Sequence, residues 1–249
     1  MTNADSAIRS VPSHLRLWLV TVVGLGVDLW SKHWAFTRLD PSSIHDGYVV
    51  VPHLITFRQS LNPGALFGLG KGLTPVFIAA SLLALGFVLF LFRHSTSKRW
   101  SLHVALGLVL AGALGNLYDR ARVIADVVKY TENGRRVTVI GKVTNPGQSP
   151  ILLGSWPDGQ HPRPIPAHRD PEVRSMGVVR DFVKIEPHFQ LGGYRIDLWP
   201  WVFNVADVLL VAGVAILMLN FWRERRQERA TQAAAAAAQT ECTGDAGSV

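Results

Sequence analysis

Long apolar stretches alternate with polar segments along this chain of 249 residues, and four stretches have the length of a membrane-spanning helix. They run from Leu17 to Phe36, Leu73 to Phe92, Trp100 to Leu117 and Trp201 to Trp222. A helix needs about 20 mainly apolar residues to cross a hydrocarbon core of roughly 30 Å. One such run is also typical of a buried core helix, but four with few charges favour membrane spans. The pattern predicts a mainly α membrane protein with four transmembrane helices.

Basic residues beside the spans predict their orientation. They lie before the first span, between the second and third, and after the fourth: Arg9, Arg16, Arg93, Lys98, Arg99, Arg223, Arg225, Arg226 and Arg229. Because cytoplasmic loops are enriched in Lys and Arg, we expect both termini in the cytoplasm and segments 37–72 and 120–200 outside. The alanine-rich tail from Ala230 onward is typical of a frayed or disordered end.

The outer segments have β character, which predicts a small extracytoplasmic β-rich cap. Val49–Phe57 is rich in β-branched residues, and Val178–Ile185 has the pattern of a strand that leads back to the membrane. Asn133-Gly134 lies between two apolar runs and is a strong signal for a two-residue hairpin. The stretch Gly147–Pro171 is rich in proline and glycine, so we expect mainly loops there.

Composition and charge narrow the function classes. Hydrophobic residues make up 48% of the chain and charged ones 17%, against roughly 25% charged in soluble domains. The single cysteine, Cys242, excludes a disulfide framework and a Cys-based zinc site, and no HExxH motif is present. We therefore expect no metal and no cofactor. The net charge of +7 is explained by membrane topology, so no nucleic-acid partner is expected.

Ionisable residues inside the spans are candidates for function because burying them in a membrane is costly. Asp28 and Lys32 are four residues apart and share a helix face in the first span. Asn116, Asp119 and Arg120 form one stripe in the third span. In each case a structural ion pair that lowers the cost of insertion is the alternative explanation.

Two carboxylates near the fourth span suggest a chemistry. Asn204 and Asp207 share a face of that span, and Asp207 lies about six residues in from Trp201, roughly 9 Å deep. Asp181 lies in the predicted strand before the span. Two carboxylates brought together can share one proton, so that one is a base and the other an acid near neutral pH. That pair can activate water against a peptide carbonyl. A proton-coupled transporter and a non-catalytic membrane scaffold remain alternatives.

Five motifs together resemble the lipoprotein signal peptidase family, also called signal peptidase II. They are DLWSK at Asp28–Lys32, NPGALF at Asn62–Phe67, GALGNLYDR at Gly112–Arg120, VRDF at Val179–Phe182 and FNVAD at Phe203–Asp207. The resemblance implies a bacterial inner-membrane aspartyl endopeptidase that removes signal peptides from diacylglyceryl-modified prolipoproteins by cutting before the lipidated cysteine. It implies prolipoproteins and membrane lipids as partners, and we expect a monomer.

The resemblance also implies residue roles. Asp181 and Asp207 match the catalytic pair; Asn62, Asn116, Arg120 and Asn204 match polar residues that line the substrate site; Asp28, Lys32 and Asp119 match structural polar positions. Leu29, Pro63 and Leu66 depart from the usual family motifs.

The resemblance divides the chain into parts. Residues 17–120 and 178–222 form the expected peptidase core, with a cytoplasmic segment at 1–16 and a cytoplasmic, disordered tail at 223–249. The largest departure from the family is an extracytoplasmic insert at 121–177, where a short link is usual.

Overall fold

The computed structural model describes residues 6–40, 47–64, 74–191, 194–197 and 199–245. Within these residues four helices form a bundle: α1 Val11–Arg38, α2 Thr74–Arg93, α3 Trp100–Arg122 and α4 Val205–Asp245. The strands are β1 Tyr48–Val51, β2 Ile55–Asn62, β3 Ile124–Glu132, β4 Arg135–Val143, β5 Ile151–Ser155, β6 Gln160–Ile165, β7 Glu172–Gly177, β8 Val179–Ile185, β9 His188–Leu191, β10 Tyr194–Asp197 and β11 Val202–Phe203.

The helices follow the predicted apolar runs, with two differences at α4. This helix begins at Val205 and not at Trp201, because Val202 and Phe203 pair with strand β8. An uninterrupted apolar run does not mark where a strand ends and a helix begins. In place of the predicted disordered tail, α4 continues to Asp245, through an alanine-rich stretch of high helix propensity.

Two of the described helical segments, Trp100–Arg122 and Val205–Ala234, are long and apolar enough to cross a membrane. The apolar part of α2, Ile78–Arg93, is shorter. Four transmembrane helices therefore stay a prediction, whereas the sheet-containing architecture is observed.

Helix α3 is the central helix and packs against α1, α2 and α4. Small residues allow the close approach of its neighbours. A methyl group at Gly112 would lie 2.7 Å from Cγ of Leu210 and would collide with the carbonyl oxygen of Ala206. A methyl group at Gly107 would lie 2.8 Å from the carbonyl oxygen of Leu17 in α1.

One end of the bundle gathers the three segments that the basic residues predict to be cytoplasmic. Arg16 of α1 donates to the carbonyl oxygen of Ser97 at 3.2 Å, and Arg99 pairs with Glu224 of α4. Backbone contacts between Ala7 and Ser95 join the N-terminal segment to the same end.

Strands cover the other end as two main sheets. The core sheet has the antiparallel order β1-β2-β8-β11, in which Asp181 of β8 faces Ser60 of β2. Strand β8 confirms the predicted strand within one residue. Strands β9 and β10 form a separate hairpin.

The insert folds as a five-stranded sheet of order β6-β5-β4-β3-β7. The predicted hairpin at Asn133-Gly134 is confirmed: both residues have positive φ, 49° and 75°, and join β3 to β4. The prediction of mainly loops in Gly147–Pro171 is wrong in part, because β5 and β6 lie there. The prolines in β6 are tolerated because this strand lies at a sheet edge.

The two ends of the insert are neighbours. Ile124 of β3 pairs with Gly177 of β7, and the amide of Val178 donates to the carbonyl oxygen of Val123 at 2.9 Å. The chain therefore enters and leaves the insert side by side, at the end of α3 and the start of β8.

Close packing at Gly112 gives a first testable prediction. We expect Gly112→Ala to lower the free energy of unfolding by about 1–3 kcal/mol, because the added methyl group overpacks the contact of α3 with α4. The matched control is Gly86→Ala in α2, where an added methyl group meets nothing within 4 Å. Thermal unfolding in detergent compares the two, and equal midpoints for both variants would contradict this account of the packing.

Candidate active site

The candidate site lies where α3 ends, α4 begins and β8 passes between them. Asp181 on β8 is 2% exposed, and Asp207 lies in the first turn of α4. Amide side chains connect the two carboxyl groups. Asn204 Nδ2 donates to Asp181 Oδ1 at 2.6 Å, and Asn116 Nδ2 donates to Asp207 Oδ1 at 2.9 Å. Asn204 Nδ2 also donates to Asn116 Oδ1 at 3.2 Å, which completes the connection.

The start of α4 fixes Asp207 in place. The amide of Asp207 donates to Asn204 Oδ1 at 3.1 Å, and the amide of Asn204 donates to Asp207 Oδ2 at 3.2 Å. This reciprocal pair is a capping box, which satisfies amides that a helix N-terminus leaves without partners. Asp207 therefore lies in the first helical turn, and its expected depth of six residues within a helix is corrected.

Asp181 has a strongly polarised environment. Asn62 Nδ2 donates to its Oδ2 at 3.0 Å, opposite the bond from Asn204. Burial, and next the negative charge of Asp207, raise the pKa of Asp181 to about 8, against the smaller opposing effect of the two amide donors. The raised pKa favours the protonated form of Asp181 at neutral pH.

A buried ion network supports the carboxyl pair. Lys32 Nζ lies 2.8 Å from Asp28 Oδ2 and 3.6 Å from Asp119 Oδ2, and all three side chains are fully buried. Lys32 also donates to Asn116 Oδ1 at 3.1 Å. The other oxygen of Asp28 accepts the amide of Ala206 at 2.8 Å. The predicted pairing of Asp28 with Lys32 is present, and it extends to α3 and α4.

Asp119 does not form the pair with Arg120 that its spacing suggests. Its carboxylate accepts from the guanidinium of Arg180, at 2.7 Å to Nη2 and 3.2 Å to Nε. Arg120 instead donates to the carbonyl oxygen of Gly64 at 2.9 Å. The sequence analysis did not identify Arg180, whose one signal is a cation directly before Asp181 in strand β8.

A cavity of about 610 Å³ opens beside these groups. Asn62, Asn116, Arg120, Asp181 and Asp207 form its polar end. Apart from Ser81, the rest of the wall is apolar. It comes mainly from α2, α3, α4 and the segment before α4, and includes Ala84, Ala113, Val208, Val211, Trp201 and Phe203. The site joins a polar centre to an apolar chamber.

The site residues predicted from the sequence lie together, apart from positions outside the described residues. The structure brings together all nine polar residues predicted from the sequence: Asp28, Lys32, Asn62, Asn116, Asp119, Arg120, Asp181, Asn204 and Asp207. Leu66 and Phe67 of the NPGALF motif lie outside the described residues. Within the described ranges, no group of three or more His, Cys, Asp or Glu side chains is arranged to hold a metal ion.

A buried carboxyl group, a partly buried one and the amides that bridge them, beside an apolar chamber, have the arrangement expected of a membrane aspartic-type peptidase. The model of the family described as signal peptidase (SPase) II matches residues 20–223. The chain therefore belongs to the signal peptidase II family, whose members are aspartic-type proteases.

Individual relatives agree with this assignment. The chain is 27% identical over 205 residues to the lipoprotein signal peptidase of Desulfitobacterium hafniense, covering 80% of this chain and 93% of that protein. It is 28% identical over 203 residues to the lipoprotein signal peptidase of Rhodopirellula baltica, covering 81% and 69%. A solved bacterial membrane enzyme shares the fold, with a TM-score of 0.53 at 21% identity over 83% of this chain and 87% of that one.

The raised pKa of Asp181 predicts a pH-dependent stability. Asp181 stays protonated up to about pH 8 in the folded protein, but ionises near pH 4 when unfolded. The stabilisation is complete below about pH 4 and is lost as the pH rises through about 8. We expect the melting temperature of the wild type to fall between about pH 5 and pH 8, and that of Asp181→Asn, which cannot ionise, to fall less.

The control for this experiment is Asp158→Asn, an exposed aspartate of the insert. Its curve is expected to run parallel to that of the wild type. If the Asp181→Asn curve is parallel as well, burial of Asp181 does not set its ionisation.

Proposed function

We propose that this chain removes signal peptides from diacylglyceryl-modified prolipoproteins by hydrolysing the peptide bond before the lipidated cysteine, with Asp181 and Asp207 as the catalytic pair. Membership of the signal peptidase II family carries the reaction and the substrate class. The observation that carries the residue assignment is the amide-bridged pair at the polar end of the apolar chamber.

The two carboxyl groups take different roles. Asp207 is at the N-terminus of α4, where the helix dipole favours a negative charge. Asp181 is buried on a strand, and its pKa is raised to about 8. We therefore assign the resting proton to Asp181 and the role of base to Asp207.

The reaction then follows in two steps. Asp207 takes a proton from water as the water oxygen attacks the scissile carbonyl carbon, and Asp181 gives its proton to the carbonyl oxygen. In the second step the C–N bond breaks, the nitrogen takes the proton held by Asp207, and Asp181 recovers its proton from the hydroxyl group as the new carboxylic acid forms. Asn62, Asn116, Asn204 and Arg120 surround these groups and are assigned to binding the substrate backbone and the developing oxyanion.

The apolar chamber is assigned to the lipid-bearing part of the substrate. Acyl chains gain by leaving water for an apolar wall, and this anchoring holds the scissile bond beside the carboxyl pair. Membrane lipids are the second partner in this proposal, and the enzyme acts as a monomer.

The proposal includes four transmembrane helices in the bacterial inner membrane, with both termini in the cytoplasm. The outward faces of α1, α2 and α4 support it, because they expose large apolar side chains such as Trp30, Leu83 and Met218. The three segments rich in basic residues meet at the opposite end of the bundle from the core sheet, consistent with one cytoplasmic side.

We propose the division of the chain from the extent of the family match and from the separate sheet of the insert. Residues 17–120 and 178–222 form the peptidase core, 121–177 form an outer insert, and 1–16 and 223–249 are cytoplasmic. The family assignment argues against a proton-coupled transporter and a non-catalytic scaffold.

The carboxyl pair gives the central test. We expect Asp181→Asn and Asp207→Asn each to lower kcat at least about 100-fold, because each removes a proton-transfer group. Purified protein in detergent is mixed with a diacylated prolipoprotein, and cleavage is followed by gel shift. Asp158→Asn is the control and is expected to keep wild-type activity. Substantial turnover by either variant, at normal membrane abundance, would overturn the assignment.

The insert gives a second test. Val128 of β3 pairs with Val173 of β7, so replacing residues 129–172 by Asn-Gly closes the two strands with the turn already used at Asn133-Gly134. We expect cleavage of a generic diacylated substrate to stay measurable, because the insert supplies none of the proposed catalytic groups and closing a shorter loop costs little entropy.

The assay is the same gel shift, run beside a measurement of membrane abundance. A shortened protein that is abundant and folded, yet inactive on every precursor, would show that the insert belongs to the active site.

A further inference from the structure

Arg180 is a cation beside the carboxyl pair to which the mechanism above assigns no role. Its guanidinium binds Asp119 through Nη2 and Nε, and its backbone amide donates to Asp119 Oδ2 at 2.9 Å. Asp119 is fully buried and the Arg180 side chain is 12% exposed. The side chain and the backbone amide of Arg180 therefore both bind the carboxylate of Asp119.

This contact joins β8 to the end of α3 at the residue next to Asp181. Asp119 is one turn from Asn116 on α3, and Asn116 donates to Asp207. Asp119 also lies 3.6 Å from Lys32, which binds Asn116. A continuous chain of polar contacts thus runs from the strand that carries Asp181 to the side chain of Asp207.

Arg180 also balances the buried charge. Four carboxyl groups meet here, those of Asp28, Asp119, Asp181 and Asp207, together with three cations, Lys32, Arg120 and Arg180. One shared proton on the catalytic pair makes this group of side chains neutral. Without Arg180, Asp119 would keep only Lys32, which already compensates Asp28.

We propose that Arg180 is a positioning residue of the peptidase. By binding Asp119, it holds strand β8, which carries Asp181, at the distance from α4 at which Asp181 and Asp207 can act on the same water molecule. The proposal rests on the proposed catalytic role of Asp181 and Asp207. It assigns Arg180 no contact with the substrate.

The geometry of the grip explains why arginine is used. A guanidinium binds a carboxylate through two parallel donors and fixes direction as well as distance, whereas an ammonium group acts as a point charge. A displacement of about 1 Å at a reacting group costs up to about 100-fold in rate. Loss of the grip is therefore expected to change kcat and not substrate binding, since the chamber that binds the lipid is untouched.

The experiment measures kcat and KM of the full chain in detergent with a diacylated prolipoprotein, per mole of folded enzyme. We expect Arg180→Gln to lower kcat about 10- to 100-fold with KM within about threefold of wild type. Arg180→Lys keeps the charge but not the two-point grip, so it recovers part of kcat. Arg174→Gln, at an exposed arginine of β7, is the control and keeps wild-type kinetics.

The double variant Asp119→Asn/Arg180→Gln separates positioning from folding, because it leaves no unpaired charge at this place. We expect it to regain membrane abundance and thermal stability relative to Arg180→Gln while kcat stays low. Recovery of kcat together with stability would overturn the positioning role in favour of a structural one. A kcat of Arg180→Gln within about twofold of wild type would overturn it as well.

These outcomes are distinct from failure of the proposed function. If the wild type does not cleave the diacylated substrate, the function itself is wrong. If the wild type cleaves it and the kcat of Arg180→Gln matches, only the role of Arg180 is wrong.

Discussion

The ion pair between Asp28 and Lys32 lies at the point on which the helix arrangement depends. Both side chains are fully buried, and a buried charge that loses its partner is strongly destabilising. The partners come from three helices, because Lys32 reaches Asn116 and Asp119 of α3 while Asp28 accepts the amide of Ala206 at the start of α4. Gly115 has no side chain where Asp28 lies against α3, and a methyl group there would collide with the carboxylate. The requirement to compensate these charges therefore sets how α1, α3 and α4 meet.

The two proposed catalytic groups come from different kinds of element, Asp181 from strand β8 and Asp207 from the start of helix α4, and the two elements offer a carboxyl group different surroundings. A helix N-terminus offers amide donors and a positive dipole, which favour negative charge at the start of α4, where Asp207 lies. A buried strand offers Asp181 no such field, and the neutral amides of Asn62 and Asn204 are its direct donors among the described side chains. One strand and one helix start thus place two chemically similar groups in unequal electrostatic environments. That inequality is what an acid and a base in one site require.

The sequence predicted the helices, the Asp181 strand and the Asn133-Gly134 hairpin, because each depends on local periodicity or turn chemistry. The polar residues that the sequence places within the spans also lie together in the structure. It misplaced the start of α4, although the N-V-A-D pattern at Asn204–Asp207 has the spacing of a capping box with Asp in place of Glu. It missed Arg180, because the partner of a buried Asp119 is chosen by the contact between a strand and a helix 61 residues away in sequence. Periodicity carries no information about such a contact.

The place of the insert follows from the same contact. The GNLYDR motif ends shortly before Val123, and the VRDF motif begins directly after Val178. The backbones of Val123 and Val178 are hydrogen bonded to each other, beside the Asp119–Arg180 pair. Residues added here lengthen the connection between α3 and β8, but its two ends stay bonded to each other. The insert therefore does not move Asp181 away from Asp207. The insert also contacts the bundle away from its ends, because Trp156 packs edge-on against Phe36 of α1. The indole of Trp156 is held within the insert, since it donates to the carbonyl oxygen of Ile124 at 2.8 Å. The insert is therefore held to the bundle at two places, by its covalent ends and by the contact of Trp156 with α1, and none of the nine polar residues of the candidate site lies on it.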